Sequence, residues 1–415
     1  MSFFYNIIIH LYHWLIRLAA FFNTKAKLWV DGRKGIFNRL AEDLKDHPRV
    51  VWFHAASLGE FEQGRPVMEA FREKYPGSGI LLTFFSPSGY EIKKNYTGAD
   101  YIYYLPIDTP RNVKRFIDIV NPDVAIFIKY EFWFNYLDFL NKNDIPVYVI
   151  SAIFRPGQHF FKVYGGWTRK QLKKITTFFV QDEQSKQLLI SAGISNVLVS
   201  GDTRFDRVSR IASQKKDFPL IEKFTKGKKV LLAGSSWPPD EKLLPVFFNG
   251  KIQNPGLIIA PHEIHEERIR SILSLFGDYN PIRYSQITEQ NIFTTNVLVI
   301  DGIGFLSSLY QYCDVAMIGG GFGKGIHNIL EAVTFGKPVV FGPNFEKFAE
   351  AKNLIRQNGA FAVDENNFGD TVFRLFNDPG VYNKASDVAK SYIAQNTGAT
   401  QIILDNLDFR TPDPE

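Results

Sequence analysis

Beyond Lys45, short runs of apolar β-branched and aromatic residues alternate with stretches of helical periodicity. Strands that are apolar on consecutive positions are typical of parallel sheets with helices on both faces. We predict thirteen strands, at residues 50–56, 80–85, 101–105, 124–128, 147–151, 177–180, 197–200, 230–233, 256–260, 297–300, 315–318, 339–341 and 360–363. The pattern therefore indicates an α/β protein built from two Rossmann-like domains.

A polar, lysine-rich stretch without a periodic apolar face separates the first seven predicted strands from the last six. It runs from about Asp206 to Lys229 and is predicted to be a linker, 206–229. The flanking domains are then 42–205 and 230–415, with a last helix that can cross back to the first domain. A chain of 415 residues suits two domains of about 150–200 residues each.

The chain begins with a different pattern, because residues 3–22 are almost all apolar or aromatic. The polar exceptions are Asn6, His10, His13 and Arg17, which fall in one stripe of a helix at about 100° per residue. Such a stripe is typical of a helix that lies in a bilayer interface, or that is inserted and packed against something polar. A buried core helix is the alternative. The pattern does not indicate a secretory signal peptide, because the segment has neither a basic n-region nor a convincing cleavage site.

The net charge of +5 changes this picture once it is located, since residues 1–41 carry all of it. A nucleic-acid-binding protein would spread a basic face across its folded body, so we expect no nucleic-acid partner. Basic residues after an apolar helix suit anionic headgroups, at about 1 kcal/mol per charge. We therefore predict that residues 1–41 form a membrane anchor helix and its basic flank. The single cysteine, Cys313, fits a reducing compartment.

Ligands of open α/β sheets bind beyond the carboxyl ends of the strands, so polar residues there are candidate site residues. The first such segment is HAASLGE, residues 54–60. Ser57 is a natural N-cap and Glu60 falls at the position of a capping box, which is a purely structural interpretation. The functional alternative is that a tight turn at Gly59 holds Glu60 as a general base toward a hydroxyl, kept ionised by the helix N-terminus.

The second segment is KYEFWFN, residues 129–135, directly after a predicted strand. A charged pair, Lys129 and Glu131, beside an aromatic run suits a wall that faces a sugar or a lipid. An ordinary ion pair at the start of a helix is an equally good interpretation.

The third segment is the glycine-rich stretch Gly319–Gly325, followed by His327, Asn328 and Glu331. It matches neither the Walker pattern nor G-x-G-x-x-G. A strand, a turn with unobstructed backbone N–H groups and a helix start would nevertheless form an anion site for one or two phosphates. Asn328 and Glu331 would share one helix face, where a carboxylate can bind ribose hydroxyls. Glycines required only for packing are the alternative.

Further polar segments follow other predicted strands, at residues 201–206, 234–236, 261–263 and 301–305. His262, His265 and Glu266 do not have the HExxH spacing, and no D-x-D occurs in the chain. We therefore expect neither a metal ion nor another cofactor.

In combination, six segments resemble one known family: residues 54–60, 129–135, 150–156 (ISAIFRP), 201–206 (GDTRFD), 233–241 (AGSSWPPDE) and 325–332 (GIHNILEA). With the N-terminal helix and residues 27–34, they resemble the Kdo (3-deoxy-D-manno-octulosonic acid) transferases of lipopolysaccharide synthesis. The resemblance extends to about Lys352. It implies GT-B architecture, in which two Rossmann-like domains face a cleft, here preceded by the membrane-anchoring helix.

The resemblance also implies roles for individual residues. Glu60 would be the catalytic base, with Glu131 and Arg204 assisting at the transition state. The expected substrate and nucleotide contacts are Ser57, Gly59, Ser235, Ser236, Pro261, His262, Ile303, Gly304, Phe305, Gly319, Gly320, Gly321, Asn328, Ile329, Leu330 and Glu331. The chain departs from the family pattern twice, with Pro261-His262-Glu263 for Pro-Arg-His and Gly304-Phe305-Leu306 for Gly-Glu-Leu.

These implications define an expected activity: an inverting, metal-independent transfer of Kdo from CMP-Kdo to a lipid A precursor of the lipid IVA type. The glycine turn would stabilise the departing CMP phosphate, and Arg204 would pair with the Kdo carboxylate. The expected location is the cytoplasmic side of the cell inner membrane, with the membrane lipid surface as a partner. The alternatives are a glycosyltransferase using a UDP-sugar, a sugar-nucleotide epimerase of the same architecture, and a non-catalytic membrane-surface scaffold.

Overall fold

The computed structural model describes residues 2–45, 49–214 and 216–409. They form two compact units, one from the residues up to Arg207 and those from Thr397 onward, the other from Val208–Asn396. Each unit is built around one seven-stranded sheet in which every strand pair is parallel. The predicted α/β class is therefore confirmed.

The sheet of the first unit has the strand order β3-β2-β1-β4-β5-β6-β7. Its strands are β1 (Val50–Ala55), β2 (Gly79–Phe84), β3 (Tyr101–Tyr104), β4 (Val124–Ile128), β5 (Val147–Ala152), β6 (Thr177–Val180) and β7 (Val197–Val199). Its helices are α1 (Ser2–Ala19), α2 (Thr24–Asp31), α3 (Ile36–Asp43), α4 (Leu58–Lys74), α5 (Pro87–Lys93), α6 (Pro110–Val120), α7 (Phe134–Lys142), α8 (Gly166–Leu172) and α9 (Glu183–Ser191).

The sheet of the second unit has the order β10-β11-β9-β8-β12-β13-β14. Its strands are β8 (Lys229–Ser236), β9 (Pro255–Pro261), β10 (Ile282–Arg283), β11 (Val297–Val299), β12 (Val315–Ile318), β13 (Val339–Phe341) and β14 (Ala360–Ala362). The later helices are α10 (Thr203–Ser213), α11 (Pro219–Thr225), α12 (Pro238–Glu241), α13 (Glu266–Leu275), α14 (Leu306–Leu309), α15 (Leu330–Val333), α16 (Ala349–Arg356), α17 (Phe368–Asn377), α18 (Pro379–Asn396) and α19 (Ala399–Asp405).

All thirteen predicted strands are present, and all of their ends but one lie within one residue of the prediction. The largest difference is at β8, which continues three residues further, to Ser236. The one strand missed is β10, because a pair of residues at the edge of a sheet has no detectable alternation. Complete burial of β1, β2, β4 and β5 explains why their apolar runs are continuous.

The stretch predicted as a linker, residues 206–229, contains the rest of α10 and all of α11. The last described helix, α19, lies in the first unit, where it packs against α4. Beyond it, the main-chain N–H of Asp408 donates to the Tyr148 hydroxyl at 2.9 Å. The Phe409 ring meets the edge of Phe71, with 5.0 Å between centroids.

Helix α1 packs against the first unit along one face only. Tyr5 donates its hydroxyl hydrogen bond to Asp108 Oδ2 at 2.5 Å, and Asn6 Oδ1 accepts one from Asn135 Nδ2 at 2.9 Å. Ile9 is its only buried residue. A buried core helix is therefore the wrong interpretation of this segment.

The opposite face of α1 is apolar and exposed, with relative exposures of 69% at Phe3, 61% at Ile8 and 57% at Trp14. The predicted polar stripe is divided, because Asn6 and His13 are half-buried while His10 and Arg17 are exposed. Among the described residues, no helix has both the length and the apolar character needed to cross a membrane.

Candidate functional site

The turn from β1 into α4 holds the carboxylate of Glu60 in a fixed place. Ser57 adopts the extended backbone of an N-cap, and α4 begins at Leu58. The Ser57 N–H and hydroxyl both donate to Glu60 Oε2, at 2.9 and 3.2 Å. The capping interaction predicted from the sequence is therefore formed, and it leaves Oε1 without a hydrogen bond from Ser57.

Glu60 is a weaker acid than an ordinary glutamate. Removal from water raises the pKa of its carboxyl group, and this effect exceeds those of the Lys129 charge and of the hydrogen bonds from Ser57 and Ala56. A carboxylate with a raised pKa holds an abstracted proton more strongly. The environment of Glu60 therefore suits a general base better than that of a surface glutamate.

Gly59 does not form the tight turn predicted from the sequence. It lies inside α4, and it is not among the residues with positive φ. A Cβ atom placed on Gly59 would meet nothing within 4 Å, so the space beside the first turn of the helix is open. Gly59 therefore has no special backbone role, and its lack of a side chain leaves room for another molecule to approach the first turn of α4.

Lys129 and Glu131 follow β4 and lie close to Glu60. The positive charge of Lys129 acts to lower the pKa of Glu60, and the negative charge of Glu60 helps to raise the pKa of Glu131. Lys129 has a φ of 67°, a left-handed conformation that is strained for a lysine. Burial raises the pKa of Glu131 to about 7, and the negative charge of Glu60 adds to the effect. Among the ion pairs of the described residues, none joins Lys129 to Glu131.

A buried network behind these carboxylates is not evident from the sequence. His54 Nδ1 is 2.9 Å from Thr83 Oγ1 and 3.1 Å from Thr83 O, while the Trp133 indole N–H donates to His54 Nε2 at 3.2 Å. Burial lowers the pKa of His54 to about 3, so the ring is neutral. A hydrogen bond from Trp133 also opposes the rise in the pKa of Glu131. The network therefore connects β1 and β2 to the Glu131 segment.

Arg204 lies at the start of α10, beside α4. The preceding residue, Thr203, is 2.9 Å from the Ser151 hydroxyl and donates to the carbonyl of Gln63 at 2.5 Å. Arg204 Nε and Nη2 both contact Asp202 Oδ2, at 2.8 and 2.7 Å. Its guanidinium group thus binds a carboxylate of its own motif.

In the second unit, the two serines predicted as substrate contacts, Ser235 and Ser236, lie at the end of β8 and have different surroundings. Ser235 is half-buried in a left-handed conformation, with a φ of 52°. Ser236 is buried and donates to Glu241 Oε1 at 2.8 Å, and Glu241 pairs with Arg268. The Ser236 side chain therefore belongs to a structural network.

Several backbone N–H groups of the glycine turn already donate to acceptors within the protein. The N–H groups of Gly319 and Gly320 donate to Gly234 O and Asp240 Oδ2, each at 2.9 Å, and those of Gly323 and Gly325 donate to Gly320 O. The prediction that the backbone N–H groups are unobstructed is wrong for these four, because the protein supplies their acceptors.

Close backbone packing explains the glycines instead. A Cβ on Gly319 would lie 2.2 Å from Ser235 O, and one on Gly321 would lie 2.5 Å from Gly342 N. Both obstacles are main-chain atoms, which cannot move aside cheaply. The packing alternative considered from the sequence is therefore supported.

The helix expected after the turn begins later, at Leu330, and Asn328 precedes it. The shared helix face is therefore a wrong expectation, although Asn328 Nδ2 still donates to Glu331 Oε1 at 3.0 Å. Asn328 Oδ1 accepts from the Leu330 N–H at 3.2 Å. The side chains of Ile329 and Leu330 are buried in the core.

A stack of three aromatic rings stands at the same edge of the second sheet. The centroid of His262 lies 4.8 Å from Trp237 and 4.5 Å from His327, and the planes are nearly parallel. The Trp237 indole N–H donates to His327 Nε2 at 3.1 Å. Burial and the neighbouring His262 lower the pKa of His327, which keeps its ring a neutral acceptor.

A cavity of about 400 Å³ adjoins this stack and is lined by Trp237, Asp240, Gly320, Lys324 and His327, among others. Trp237, Asp240 and Lys324 were not among the predicted site residues. All three lie in segments that follow strands, residues 233–241 and 319–325, and this position is the feature by which the sequence could have identified them.

The remaining predicted contacts are distributed as follows. Pro261 is buried at the end of β9. Ile303 is 86% exposed, Gly304 has a φ of 86°, and the Phe305 ring packs against Tyr284 and Phe218. Within the described ranges, no cluster of three or more His, Cys, Asp or Glu residues is arranged to hold a metal ion.

Three comparisons relate this arrangement to known proteins. The family described as 3-Deoxy-D-manno-octulosonic-acid transferase (kdotransferase) matches residues 31–207. The 3-deoxy-D-manno-octulosonic acid transferase of Rickettsia bellii is 28% identical over 329 residues, which are 78% of each chain. The enzyme of the same name from Haemophilus influenzae is 25% identical over 375 residues, 87% of each chain.

Among solved structures, UDP-GlcNAc 2-epimerase from Neisseria meningitidis has a TM-score of 0.59 at 19% identity, over 86% of this chain and 98% of that one. At this identity the likeness shows a shared fold and not a shared activity. The family match lies within the first unit, and the matches to the two relatives span 78% and 87% of the chain. By these matches, the chain is similar to the 3-deoxy-D-manno-octulosonic acid (Kdo) transferases over most of its length.

Proposed function

We propose that this chain is an inverting transferase that moves Kdo from CMP-Kdo to a lipid A precursor of the lipid IVA type, without a metal ion. The observation that carries the proposal is the position of Glu60. Its carboxylate is held by Ser57 at the carboxyl end of β1, has a raised pKa, and is influenced by Lys129. The similarity to Kdo transferases suggests the donor class, and the geometry of Glu60 supports its role.

In the proposed reaction Glu60 takes the proton of an acceptor sugar hydroxyl. The hydroxyl oxygen then forms a bond to the anomeric carbon of Kdo as the bond from that carbon to the CMP phosphate oxygen breaks. CMP leaves with the electron pair, and attack from the opposite face inverts the anomeric configuration. A positioned general base of this kind contributes about 10²–10⁴ in rate.

Glu131 and Arg204 are proposed to assist. With a pKa of about 7, Glu131 carries a proton in about half of the molecules near neutral pH, so it can donate a hydrogen bond to the sugar. Arg204 is proposed to bind the Kdo carboxylate, in place of or together with its contact to Asp202. The fork geometry of a guanidinium group suits a carboxylate ligand.

The donor is assigned to the second unit. The cavity beside Trp237 and His327 offers flat aromatic rings, and the Lys324 side chain on its wall offers a positive charge for the departing CMP phosphate. Since four N–H groups of the glycine turn are occupied by protein acceptors, we assign the phosphate to the Lys324 region of the turn.

The membrane surface is the proposed location of the acceptor. The exposed apolar face of α1 and the basic residues that follow it suit the cytoplasmic side of the inner membrane. The proposal places the helix at the lipid surface, where the glycolipid acceptor is available.

Substitution Glu60→Gln tests the base. We expect transfer to fall by about 10³-fold, because the amide cannot accept the proton, while CMP-Kdo binding is unchanged. The product of CMP-Kdo and a tetra-acylated disaccharide precursor is measured by mass spectrometry, and donor binding by calorimetry. Glu73→Gln is the matched control, since Glu73 is exposed on the same helix and should leave both quantities unchanged.

Two further measurements separate this proposal from its alternatives. CMP should raise the melting temperature of the protein more than UDP does, and a chelator should leave transfer unchanged. Normal turnover in the Glu60→Gln variant would overturn the mechanism. Protection by UDP and not by CMP would indicate a different sugar nucleotide.

A further inference from the structure

The first unit contains a cavity that neither the base nor the donor explains. It has a volume of about 240 Å³ and is enclosed by α1, by the segment from α2 to α3, and by the chain after β3. Its lining includes His13, Arg17 and Arg33 on the polar side, and Trp29, Ile36 and Phe37 on the apolar side. The cavity thus combines two guanidinium groups with apolar walls.

Arg33 is fixed in place without an acidic partner. Its Nε, Nη1 and Nη2 donate to the carbonyls of Leu105, Trp29 and Phe85, each at 2.8 Å. The guanidinium carbon lies 3.8 Å from the centroid of the Trp29 ring. Three of its five N–H groups donate in this way. The remaining two donate no hydrogen bond to any other described residue.

The charge of Arg33 is poorly compensated. Burial lowers the pKa of its guanidinium group to about 9, and nearby tyrosines rather than carboxylates oppose that change. None of the ion pairs in the described ranges includes Arg33 or Arg17. A buried cation without a counter-charge is expensive for the fold, which indicates that an anion from outside completes the site.

The lining of the cavity is positively charged, although its histidine, His13, adds no charge. His13 is kept neutral because burial and the charges of Arg17 and Arg33 lower the pKa of its ring. A second cavity, of about 490 Å³, is also lined by Arg17 and Lys34 and adds Lys27. The carboxylate on its wall, Asp31, pairs with Lys34 at 2.6 Å. Positive charge is therefore in excess across both cavities.

The surroundings point to an amphiphile. Apolar residues at the end of α1 and in the turn after it are exposed to solvent, namely Leu18 at 43% and Phe21 at 80%, and Phe21 lines the second cavity. An inorganic anion would have no use for these surfaces or for the Trp29, Ile36 and Phe37 wall. A lipid with a phosphate headgroup would bury both its charge and the start of its chains.

We propose that Arg17 and Arg33 bind the phosphate headgroup of a membrane lipid, one molecule per chain, in the cavity between α1 and the α2–α3 segment. The inference rests on the lipid-surface position proposed above for α1. It goes beyond that proposal because a stoichiometric phosphate site differs from diffuse attraction between basic residues and a charged membrane.

The decisive comparison is between Arg17→Gln and Lys25→Gln. Both remove one positive charge from the same segment, but Lys25 is exposed and lines neither cavity. Arg17 donates no hydrogen bond to another described residue, so we expect its substitution to leave folding undisturbed. Arg33→Ala is avoided because Arg33 holds three carbonyls in place.

Binding of dioctanoyl phosphatidic acid below its micelle concentration is measured by calorimetry on the full chain. We expect saturable binding with one site, weakened about tenfold or more in Arg17→Gln and unchanged in Lys25→Gln, because a charged hydrogen bond is lost in only one variant. Equal losses in both variants, or no saturable binding, would overturn the proposal. Inorganic phosphate binding as tightly as the lipid would also overturn it.

A vesicle assay distinguishes the phosphate site at Arg17 and Arg33 from the membrane location proposed for α1. Phosphatidylcholine vesicles containing phosphatidic acid or phosphatidylglycerol at equal surface charge are compared by sedimentation. Preference for phosphatidic acid that is lost in Arg17→Gln supports the site. Binding of both vesicle types with no difference between the variants removes the site but keeps the membrane location. Binding of the short-chain lipid without any vesicle binding keeps the site and removes the location.

Discussion

Each unit carries a tryptophan that donates its indole N–H to a neutral histidine at the carboxyl end of a sheet, Trp133 to His54 at 3.2 Å and Trp237 to His327 at 3.1 Å. The two pairs differ in what surrounds them. His54 is completely buried and also held by Thr83, whereas His327 is half-buried and lines a cavity. The first pair therefore supports a neighbouring carboxylate, and the second presents its own rings to a ligand.

The carboxylates at the two edges differ in the same way. Asp240 accepts hydrogen bonds from the main-chain N–H groups of Trp237 and Gly320, and Glu241 pairs with Arg268. Glu131 has the charge of Glu60 nearby and no ion pair in the part of the chain that the structure describes. Glu241, which serves the fold, thus has a compensating charge, whereas Glu131, which is proposed to take part in the reaction, has a like charge nearby.

The largest expected effect comes from Gly319→Ala. The new Cβ would lie 2.2 Å from Ser235 O, so the backbone of the second unit must shift, at a loss of about 3 kcal/mol or more in the free energy of unfolding. Gly59→Ala is the contrasting variant, with nothing within 4 Å of the new atom. It should stabilise α4 by about 0.5–1 kcal/mol while hindering whatever approaches that helix turn. Denaturant unfolding and transfer assays check both, and equal stability changes would contradict the comparison.

The same substitution at the buried Glu241 and the half-buried Glu131 should change the free energy of unfolding in opposite directions. Glu241→Gln leaves Arg268 without its charged partner and should lower the free energy of unfolding by about 3 kcal/mol. Glu131→Gln should raise it by about 2 kcal/mol above neutral pH, because the folded chain no longer holds a poorly solvated charge.

The pH dependence of the Glu131→Gln effect follows from the direction of the shift. The pKa of Glu131 is raised from 4.5 to about 7 in the folded chain, so the folded state binds more protons between these values. Stability from this group is therefore present at low pH and is lost as the pH rises through about 7. The gain in the variant should be full above that pH and absent below about 4.5, as measured by urea unfolding across the range. A gain that is independent of pH would contradict the explanation.

Much of the fold follows from the sequence because it depends on local patterns. Consecutive apolar residues identify the central strands, and the Ser57 and Glu60 capping interaction depends on a spacing of three residues. Their positions after strands made Glu60 and Glu131 candidate site residues for the same reason, and the family resemblance joined them in one site. These features need no knowledge of distant parts of the chain.

The rest depends on contacts between distant residues. The occupied N–H group of Gly320 requires Asp240, 80 positions earlier, and the Trp133–His54 pair is separated by 79 positions. The side of α1 that packs against the body depends on Asp108 and Asn135, which the pattern of α1 cannot reveal. The pKa of Glu131 depends in the same way on burial by the whole unit.

A smaller effect is expected when the buried Trp–His pair is broken by Trp133→Phe. Loss of the indole N–H removes a hydrogen bond that opposes the rise in the Glu131 pKa, so that pKa should increase by about half a unit. His54 Nε2 would also lose its donor, lowering the free energy of unfolding by about 1–2 kcal/mol. NMR of labelled glutamate measures the pKa. Trp14→Phe, on the exposed face of α1, is the matched control and should change neither value.

The smallest effect is expected from the same substitution in the other pair, Trp237→Phe. Phenylalanine keeps an aromatic face against His262 but removes the N–H donor to His327. Because that donor favours the neutral ring, the pKa of His327 should rise toward its ordinary value. If these rings contact the nucleotide as proposed, CMP affinity should fall by a few-fold, about 0.5–1 kcal/mol, without a change in the pH dependence of Glu131. An unaltered CMP affinity together with a shifted His327 pKa would show that the stack shapes the cavity without touching the nucleotide, and the two pairs would then both be supports.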